Sequence, residues 1–492
     1  RHAFFQLGLF AMTEAERCSG ALPPGVAGLP ERAGIAARFD RFAEANRDAP
    51  GISFLKAALS YGCSRLSFSR DAFVHELVQG VLGCQYPEPV RLLPLTEQIV
   101  QRYLLKEIAA GHPIPGSIDL FAVEGATAGV TYLFNTLRIN KLIAPGDAIA
   151  IGTPIFTPYL EIPQLDEYRL VEVMVEADPG AGWQYPESEL AKLLDPQVKV
   201  LLLVNPGNPT SVKIDHAGLN RIATIVAAKR PDLIIVTDDV YATFADDFVS
   251  LFALCPRNTV LVYSFSKYFG TTGWRLGVVA THARNIIDDL IAELPEADRL
   301  ALDARYGSLV LDPRKLKFID RLVADSRAVA FNHTAGLSTP QQVQLALFAL
   351  FGLLDEQDDY KTAMKRLIRR RHQALYGALG IAPSDDPNAV DYYAVLDLEI
   401  LGSERYGQHF VDWLLATKNP LEILFRLAEE SGVVLLPGKG FATPHPSARV
   451  SLANLDEADC ARIGRIIRSL MEDYLREYRA ADGQNINDTA PS

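Results

Sequence analysis

The chain has 492 residues, of which 49% are hydrophobic and 22% are charged. It is long enough for a large core and exceeds the usual size of one domain, so we expect two packed domains. The net charge of −12 argues against nucleic acid or an anionic membrane as the main partner. The longest apolar run, residues 345–354, is about half the length of a membrane-spanning helix.

The cysteines and the N-terminus bear on the compartment of the protein. Five cysteines are scattered along the chain without the spacing of a metal site, which favours reduced thiols in the cytoplasm. No segment resembles a secretory signal, in agreement with a cytoplasmic location. The chain begins at Arg1 without a methionine, so we expect an N-terminal piece to precede it.

Five short apolar runs alternate with helical patterns between about residues 120 and 277. They are residues 120–123, 148–151, 198–204, 233–236 and 260–263. Such runs are typical of strands that are buried on both faces of a parallel sheet covered by helices. In open α/β sheets, ligands bind beyond the carboxyl ends of the strands, so the polar motifs that follow these runs are predicted to form one site.

The first two runs are followed by a turn and by an aromatic residue. Gly125-Ala126-Thr127 comes between the first run and a helical pattern, where its backbone N–H groups would face a phosphate at a helix N-terminus. Taken alone, an ordinary turn between a strand and a helix is the more common interpretation. Phe156 follows the second run and could stack on an aromatic ring, although a core position is the usual role of such a residue.

The third and fourth runs lead to more specific motifs. Residues Asn205 to Thr210 read Asn-Pro-Gly-Asn-Pro-Thr, and the two Asn-Pro steps fix a tight loop that aims the amide of Asn208 outward. Asp238 and Tyr241 follow the fourth run, where the carboxylate is either a helix N-cap or a buried group that faces a ligand. A structural turn remains the alternative for the asparagine loop.

The motif after the fifth run is the most informative one in the chain. It reads Ser264-Phe-Ser266-Lys267, and Arg275 follows eight positions later. A lysine between hydroxyl residues can form an imine with an aldehyde, while the arginine and the hydroxyls can hold a phosphate in a forked geometry. Pyridoxal 5′-phosphate (PLP) combines an aldehyde with a phosphate. We therefore predict a PLP site in which Lys267, Asp238 and Tyr241 are catalytic residues.

This cofactor gives roles to the earlier motifs. The amide of Asn208 and the hydroxyl of Tyr241 could donate hydrogen bonds to its phenolic oxygen, O3′. A buried Asp238 that faces the pyridine nitrogen would keep that nitrogen protonated, which makes the ring a strong electron acceptor. Phe156 could stack on the pyridine ring.

A different pattern follows residue 339 and predicts a second, smaller domain. A long helical stretch reaches about residue 380, and strand-like runs follow at 392–398, 433–438 and 448–452. Arg449 lies on the last run beside small residues, where it could bind a substrate α-carboxylate with two hydrogen bonds. A surface or interdomain salt bridge is the alternative role for this arginine.

Together, these motifs resemble the fold-type I PLP enzymes of the aspartate aminotransferase family. The resemblance implies an α/β fold with a large domain, whose mostly parallel central sheet is sandwiched by helices, and a smaller α+β domain. Tyr86 matches the family tyrosine that reaches the phosphate of the neighbouring subunit, which implies an obligate homodimer with shared sites. The expected division is an N-terminal segment at 1–110, the PLP-binding domain at 111–345, the small domain at 346–480 and a disordered tail at 481–492.

A closer resemblance is to the bacterial aspartate 4-decarboxylases, the L-aspartate β-decarboxylases. It is carried by residues 1–10, 183–186, 238–248, 263–270 and 317–330, and by a segment at about 283–332 that is long for a plain aminotransferase. The resemblance implies conversion of L-aspartate to L-alanine and CO2, a side aspartate aminotransferase activity, and dimers that assemble into larger oligomers. The family's glycine-rich segment of the substrate pocket would precede Arg1, so the group that binds the β-carboxylate is not identified.

Two alternatives to this function remain. A plain aspartate or alanine aminotransferase would share every cofactor residue, so the motifs do not separate it from a decarboxylase. A ligand-sensing domain of a PLP-fold regulator would be joined to a basic DNA-binding domain, and no such basic segment is recognisable in the sequence.

Overall fold

The computed structural model describes residues 40–41, 43–47, 49–82, 91–328 and 336–488. Buried apolar side chains form two clusters. The larger cluster surrounds a seven-stranded sheet, and the smaller one lies against a three-stranded sheet. In the described part of the chain, no helix combines the length and the hydrophobicity that a membrane span requires.

The central sheet positions the polar motifs from Gly125 to Arg275. Its strands are β1 (Ile118–Val123), β2 (Ala148–Thr153), β3 (Val171–Glu176), β4 (Val198–Val204), β5 (Ile234–Asp238), β6 (Thr259–Ser264) and β7 (Gly277–His282). They lie in the order β1-β7-β6-β5-β4-β2-β3. Strand β7 pairs antiparallel with both of its neighbours, and all other pairs are parallel. The predicted α/β fold with a mostly parallel sheet is confirmed.

The five predicted strands are all present, and their ends agree with the structure to within two residues. Every residue of β1, β2, β5, β6 and β7 is buried, because helices cover both faces of the sheet. Strands β3 and β7 were missed by the prediction. Strand β3 lies at the edge of the sheet, where its glutamates alternate with apolar residues and leave no continuous apolar run.

Helices of two groups surround the sheets. Those before residue 330 are α1 (Pro50–Arg65), α2 (Arg70–Leu82), α3 (Pro94–Ile108), α4 (Ala126–Ile139), α5 (Thr157–Glu161), α6 (Glu187–Leu190), α7 (His216–Ala228), α8 (Leu251–Leu254), α9 (Ile286–Glu293), α10 (Glu296–Tyr306) and α11 (Phe318–Ser326). Those after it are α12 (Thr339–Leu354), α13 (Asp359–Leu379), α14 (Leu398–Tyr406), α15 (Gln408–Thr417), α16 (Pro420–Ser431) and α17 (Glu457–Asp488). Helix α17 enters the segment 481–492 for which we expected an irregular tail.

The smaller sheet contains β8 (Tyr393–Asp397), β9 (Leu436–Pro437) and β10 (Ser447–Ser451), in the antiparallel order β8-β10-β9. Two of the predicted runs form β8 and β10. The third shortens to two residues, because β9 is an edge strand and Pro437 has no N–H group to continue the ladder. Helix α12 packs in the larger core, so the exact division of the chain into domains stays a prediction.

Candidate active site

The predicted residues lie along one edge of the central sheet. Strands β1, β2, β4, β5 and β6 end at this edge, and β7 begins there because it runs in the opposite direction. The loops that follow the five strands carry Gly125, Phe156, Asn208, Tyr241 and Lys267. Residues far apart in the sequence are therefore neighbours at a single site.

Gly125 allows an unusually close approach between two strands. It has a φ of 93° and immediately precedes α4, whose first two residues are Ala126 and Thr127. A Cβ atom on Gly277, at the start of β7, would lie only 2.7 Å from the Cα atom of Gly125. The backbone of the predicted phosphate turn thus opens onto the site without a side chain, and the helix N-terminus contributes N–H groups to it.

The guanidinium group of Arg275 lies against the same turn. A Cβ atom on Gly125 would be 2.5 Å from Arg275 Nη2. That nitrogen donates a hydrogen bond to the carbonyl oxygen of Glu124, and Nη1 donates one to the carbonyl oxygen of Thr272, each at 3.1 Å. The side chain is otherwise exposed. Its cation and the N-terminus of α4 therefore face one anion-binding position.

Two serines fix the turn that leads to Lys267. The hydroxyl group of Ser264 lies 2.9 Å from that of Ser266 and 3.1 Å from the carbonyl oxygen of Leu276. It also accepts a hydrogen bond of 3.2 Å from the backbone N–H group of Ser266. Both serines are buried, so the turn is held by local contacts rather than by solvent.

The amine of Lys267 has an environment that favours its neutral form. Burial lowers the pKa of Lys267, the positive charge of Arg449 lowers it further, and the carboxylate of Asp238 opposes the shift. Within the described ranges, no group accepts a hydrogen bond from Lys267 Nζ. A neutral amine that is not engaged by a partner can act as a nucleophile and as a base.

Asp238 is a buried carboxylate at the end of β5. Only 4% of the residue is exposed, and burial raises its pKa to about 6. The hydroxyl of Tyr159 donates to Asp238 Oδ2 at 2.7 Å, and the backbone N–H group of Val240 donates to Oδ1 at 3.2 Å. The carboxylate therefore makes a local turn contact and also a long-range contact that a simple cap would not need.

Tyr159 was not recognised in the sequence. Burial raises the pKa of Tyr159 well above its ordinary value, so its hydroxyl stays protonated and donates to Asp238. Phe156 is half-buried and packs edge-to-face on Tyr159, with ring centroids 5.3 Å apart. The signal that could have found Tyr159 is its position three residues after Phe156, one helical turn along the same face.

Asn208 connects the two sheets. Its side-chain oxygen accepts a hydrogen bond of 2.9 Å from Arg449 Nη1, and its amide nitrogen lies 3.4 Å from the hydroxyl of Tyr241. The hydroxyl groups of Tyr241 and Tyr393 are 2.9 Å apart. Burial raises the pKa of Tyr241 well above its ordinary value, so this hydroxyl is protonated at neutral pH.

Arg449 is held by aromatic rings instead of by a carboxylate. Its guanidinium carbon lies 4.3 Å from the ring centroid of Tyr393 and 4.7 Å from that of Phe441. Among the described residues it forms no salt bridge, and its buried Nε has no hydrogen-bond partner. This arrangement disfavours the structural salt bridge and leaves donors for an anionic ligand.

The structure brings together almost the complete predicted set. Tyr86 lies outside the described residues, and its role stays a prediction. Tyr159, Tyr393 and Phe441 are added to the predicted residues. The predicted members at this edge are Gly125, Ala126, Thr127, Phe156, Asn208, Asp238, Tyr241, Ser264, Ser266, Lys267, Arg275 and Arg449.

Comparisons with known proteins agree with this geometry. Residues 102–467 match the family model of aminotransferase class I and II. The bifunctional aspartate aminotransferase and L-aspartate beta-decarboxylase of a Pseudomonas species is 55% identical over 480 residues, which are 98% of this chain and 90% of that protein.

Two solved structures show the same fold at low identity. A mutant of the aspartate aminotransferase of Thermus thermophilus is 19% identical, with a TM-score of 0.57 over 80% of this chain and 92% of that one. The aromatic aminotransferase of Pyrococcus horikoshii is 21% identical, with a TM-score of 0.58 over 82% of this chain and 92% of that one. The family model and the long, 55% identical relative show that the chain belongs to the class I and II aminotransferases, in the branch that the L-aspartate β-decarboxylases form.

Proposed function

We propose that the protein is a PLP-dependent aspartate 4-decarboxylase. It converts L-aspartate to L-alanine and CO2 and has a side activity as an aspartate aminotransferase. The observation that carries this function is the 55% identity with the Pseudomonas bifunctional enzyme, which extends over 98% of the chain. The residues at the edge of the central sheet supply the groups that both activities require.

The side chains at this edge fit PLP. Arg275 and the N-terminus of α4 face one anion-binding position, suited to a phosphate, next to a glycine where a Cβ atom would collide with the guanidinium group. Asp238 is a buried carboxylate with a raised pKa, and such a group is stabilised by a cationic partner such as a protonated pyridine nitrogen. Lys267 provides an amine of lowered pKa for the aldehyde carbon.

The roles of the residues follow from these positions. When bound, PLP supplies an electron sink for the bonds at the substrate's Cα and Cβ atoms. Lys267 Nζ would hold the cofactor until the substrate amine displaces it, and the freed amine would then take the proton from Cα, a role that its lowered pKa favours. Asp238 would keep the proton on the pyridine nitrogen, while Asn208 and Tyr241 would donate toward the phenolic oxygen. Arg449 binds the α-carboxylate with two hydrogen bonds.

The two activities share the removal of the Cα proton and then diverge. Loss of CO2 from Cβ leads to alanine, whereas hydrolysis releases an oxo acid and leaves the amino group on the enzyme. A difference of about 1.4 kcal/mol between the two barriers changes their ratio tenfold. The balance between decarboxylase and aminotransferase is therefore sensitive to small changes around the substrate.

Incubation of the PLP-loaded protein with L-aspartate alone tests this proposal. A decarboxylase releases alanine and CO2 continuously, far beyond one equivalent per active site. A plain aminotransferase forms at most one equivalent of oxaloacetate per site and no alanine. The Lys267→Ala variant is the control, and we expect it to lose the cofactor's visible absorbance and essentially all alanine production.

We also propose that the protein is a cytoplasmic homodimer with shared active sites, and that dimers assemble into larger oligomers. The single chain exposes 52% of Trp274 beside Arg275, a position that a second subunit could cover. The cysteines of the described ranges, Cys63, Cys255 and Cys460, are free thiols, in agreement with a reducing compartment. The small-molecule partner of the site is L-aspartate.

A further inference from the structure

Tyr393 connects the smaller sheet to the candidate active site. It is the first residue of β8 and is buried, with 6% of its surface exposed. Its backbone N–H group donates to Ser211 Oγ at 2.7 Å, and Ser211 follows Asn208 by three residues. Its hydroxyl group lies 2.9 Å from the hydroxyl of Tyr241. Backbone and side chain together hold this tyrosine in one position.

The hydrogen-bonding capacity of Tyr241 determines what Tyr393 can do. The side-chain oxygen of Asn208 faces Arg449 and accepts from it, so the NH2 group of the amide faces Tyr241. This NH2 group can only donate. A hydroxyl group has one hydrogen and two acceptor sites. If Tyr393 also donates, Tyr241 accepts two hydrogen bonds and its single O–H group is left for a third partner. Accepting hydrogen bonds strengthens a hydroxyl group as a donor.

The ring of Tyr393 has a second contact. The centroid of this ring lies 4.3 Å from the guanidinium carbon of Arg449, and the ring centroid of Phe441 lies 4.7 Å from the same carbon. One side chain therefore touches both the hydroxyl proposed to face the cofactor and the cation proposed to bind the substrate.

We infer that Tyr393 is a positioning residue for both groups. Its hydroxyl donates to Tyr241 and strengthens the hydrogen bond from Tyr241 to the phenolic oxygen of PLP. Its ring holds the plane of Arg449 for the α-carboxylate. The inference rests on the proposed function for the identity of the cofactor, and it does not depend on whether decarboxylation or transamination predominates.

In the part of the chain that the structure describes, few other titratable or charged groups lie around Tyr241. Tyr392 packs on it with ring centroids 5.0 Å apart, Asp238 precedes it on the same loop, and Arg449 lies beyond Tyr393. Tyr392 touches the ring of Tyr241, but among the described residues its hydroxyl makes no hydrogen bond with that tyrosine. It is therefore a matched control for the loss of a neighbouring hydroxyl.

The test is a pH titration of the visible absorbance of the PLP-loaded protein without substrate. A donor to the phenolic oxygen stabilises its anionic form and keeps the midpoint of the titration low. We expect Tyr393→Phe to raise the midpoint by about 0.5 pH unit, the scale of one neutral hydrogen bond. Tyr392→Phe should leave the midpoint unchanged.

Steady-state kinetics separate the role of the ring from that of the hydroxyl. Tyr393→Phe retains the ring over Arg449, so the KM for aspartate should stay close to that of the wild type. Tyr393→Leu removes the ring as well and should raise KM by about fivefold. If Tyr393→Phe does not fold, the titration is made on Ser211→Ala, which loosens the backbone of Tyr393 and should raise the midpoint in the same direction.

An unchanged midpoint in the folded variant overturns the inference, and so does an equal shift in Tyr392→Phe. A KM that is the same for Tyr393→Leu and Tyr393→Phe removes the role of the ring. Since no substrate is present in the titration, these outcomes are distinct from a failure of the proposed function. A wild-type protein without the PLP absorbance would instead refute the proposed cofactor chemistry as a whole.

Discussion

Asp238 shows how a residue that is suited to cofactor binding can lower the stability of the folded protein. Its carboxyl group has an ordinary pKa of 3.8, and burial raises this value to about 6 in the folded protein. Below about pH 4 the group is neutral in both the folded and the unfolded states, and burial has no electrostatic cost. Between about pH 4 and 6 the unfolded state ionises first, so the free energy of unfolding falls by up to about 3 kcal/mol.

Replacement of Asp238 should therefore stabilise the cofactor-free protein. We expect Asp238→Asn to unfold with a higher free energy than the wild type at pH 7 to 8, by up to about 3 kcal/mol. The difference should vanish below about pH 4. Urea unfolding of the cofactor-free proteins across this range measures it, and Asp166→Asn, which changes an exposed carboxylate, is the control. A difference that does not vary with pH would contradict the assignment to this carboxylate.

The residues that the sequence revealed share one property. Lys267, Asp238 and Asn208 each follow a strand within a few residues, so the spacing of the motif places the side chain. Tyr159 shares a helix face with Phe156, but no spacing relates it to Asp238, which is 79 residues away, and none relates Tyr393 to Tyr241, which is 152 residues away. Their roles depend on the packing of separate elements, and a single sequence does not specify that packing.

At the scale of elements, the turn between β1 and α4 depends on two glycines. Gly125 has a φ of 93°, and Gly277 of β7 lies against its backbone. A side chain at either position would separate the helix N-terminus from the start of β7 and from Arg275, which lies two residues before that strand. The contact between these elements therefore requires that neither residue has a Cβ atom.

Gly125→Ala should weaken cofactor binding in addition to straining the backbone. The conformation itself should cost about 1 to 2 kcal/mol of stability. The added Cβ atom, 2.5 Å from Arg275 Nη2, should also displace the guanidinium group and lower the affinity for PLP by about tenfold. Melting temperatures and an absorbance titration with PLP measure the two effects separately.

Gly146→Ala is the matched control for this variant. Gly146 has nearly the same φ of 94°, but no atom lies within 4 Å of the position of its Cβ atom. We expect a similar loss of stability and an unchanged affinity for PLP. An equal loss of affinity in both variants would mean that backbone strain, and not the contact with Arg275, determines cofactor binding.

The elements that were predicted best from the sequence are the parallel strands that are buried on both faces of the sheet. The buried parallel strands β2, β4, β5 and β6 each contain a run of apolar residues and were all recognised. Strand β3 has one edge exposed, and β9 ends at a proline, so neither has the continuous pattern on which the prediction depends. The antiparallel direction of β7 depends on the connection at residues 265–276, which hydrophobic periodicity does not indicate.

At the scale of the whole molecule, the site lies where the two sheets meet. Asn208 binds Arg449, and the backbone N–H group of Ile155 donates to the carbonyl oxygen of Phe441 at 2.9 Å. Residues 388–390 also pair with 211–213 beside the asparagine loop. The sequence predicted two domains and their joint site, but contacts between subunits depend on surfaces that one chain does not determine.

Mixed dimers test the proposed sharing of active sites between subunits. We expect Lys267→Ala and Tyr86→Ala to be weakly active alone. If Tyr86 serves the neighbouring subunit, each mixed dimer contains one intact site, and random assortment should restore about a quarter of the wild-type activity per site. Subunits are mixed by partial unfolding and refolding, and alanine release is measured.

The outcome has a clear alternative. If Tyr86 acts within its own chain, no mixed dimer has an intact site, and the mixture shows only the mean of the two parent activities. Mixing each variant with itself through the same procedure controls for losses during refolding.

The antiparallel direction of β7 affects which distances within the site can change when the protein moves. Lys267 and Arg275 both lie in the connection at residues 265–276, which joins the hydrogen-bonded strands β6 and β7, so this one segment sets the spacing between them. Arg449 belongs to a different sheet. Any rocking of the smaller core would alter the gap between Arg449 and Lys267 and leave the other spacing constant. Substrate could then enter and leave in repeated turnovers while the anion-binding turn at Arg275 keeps its distance from Lys267.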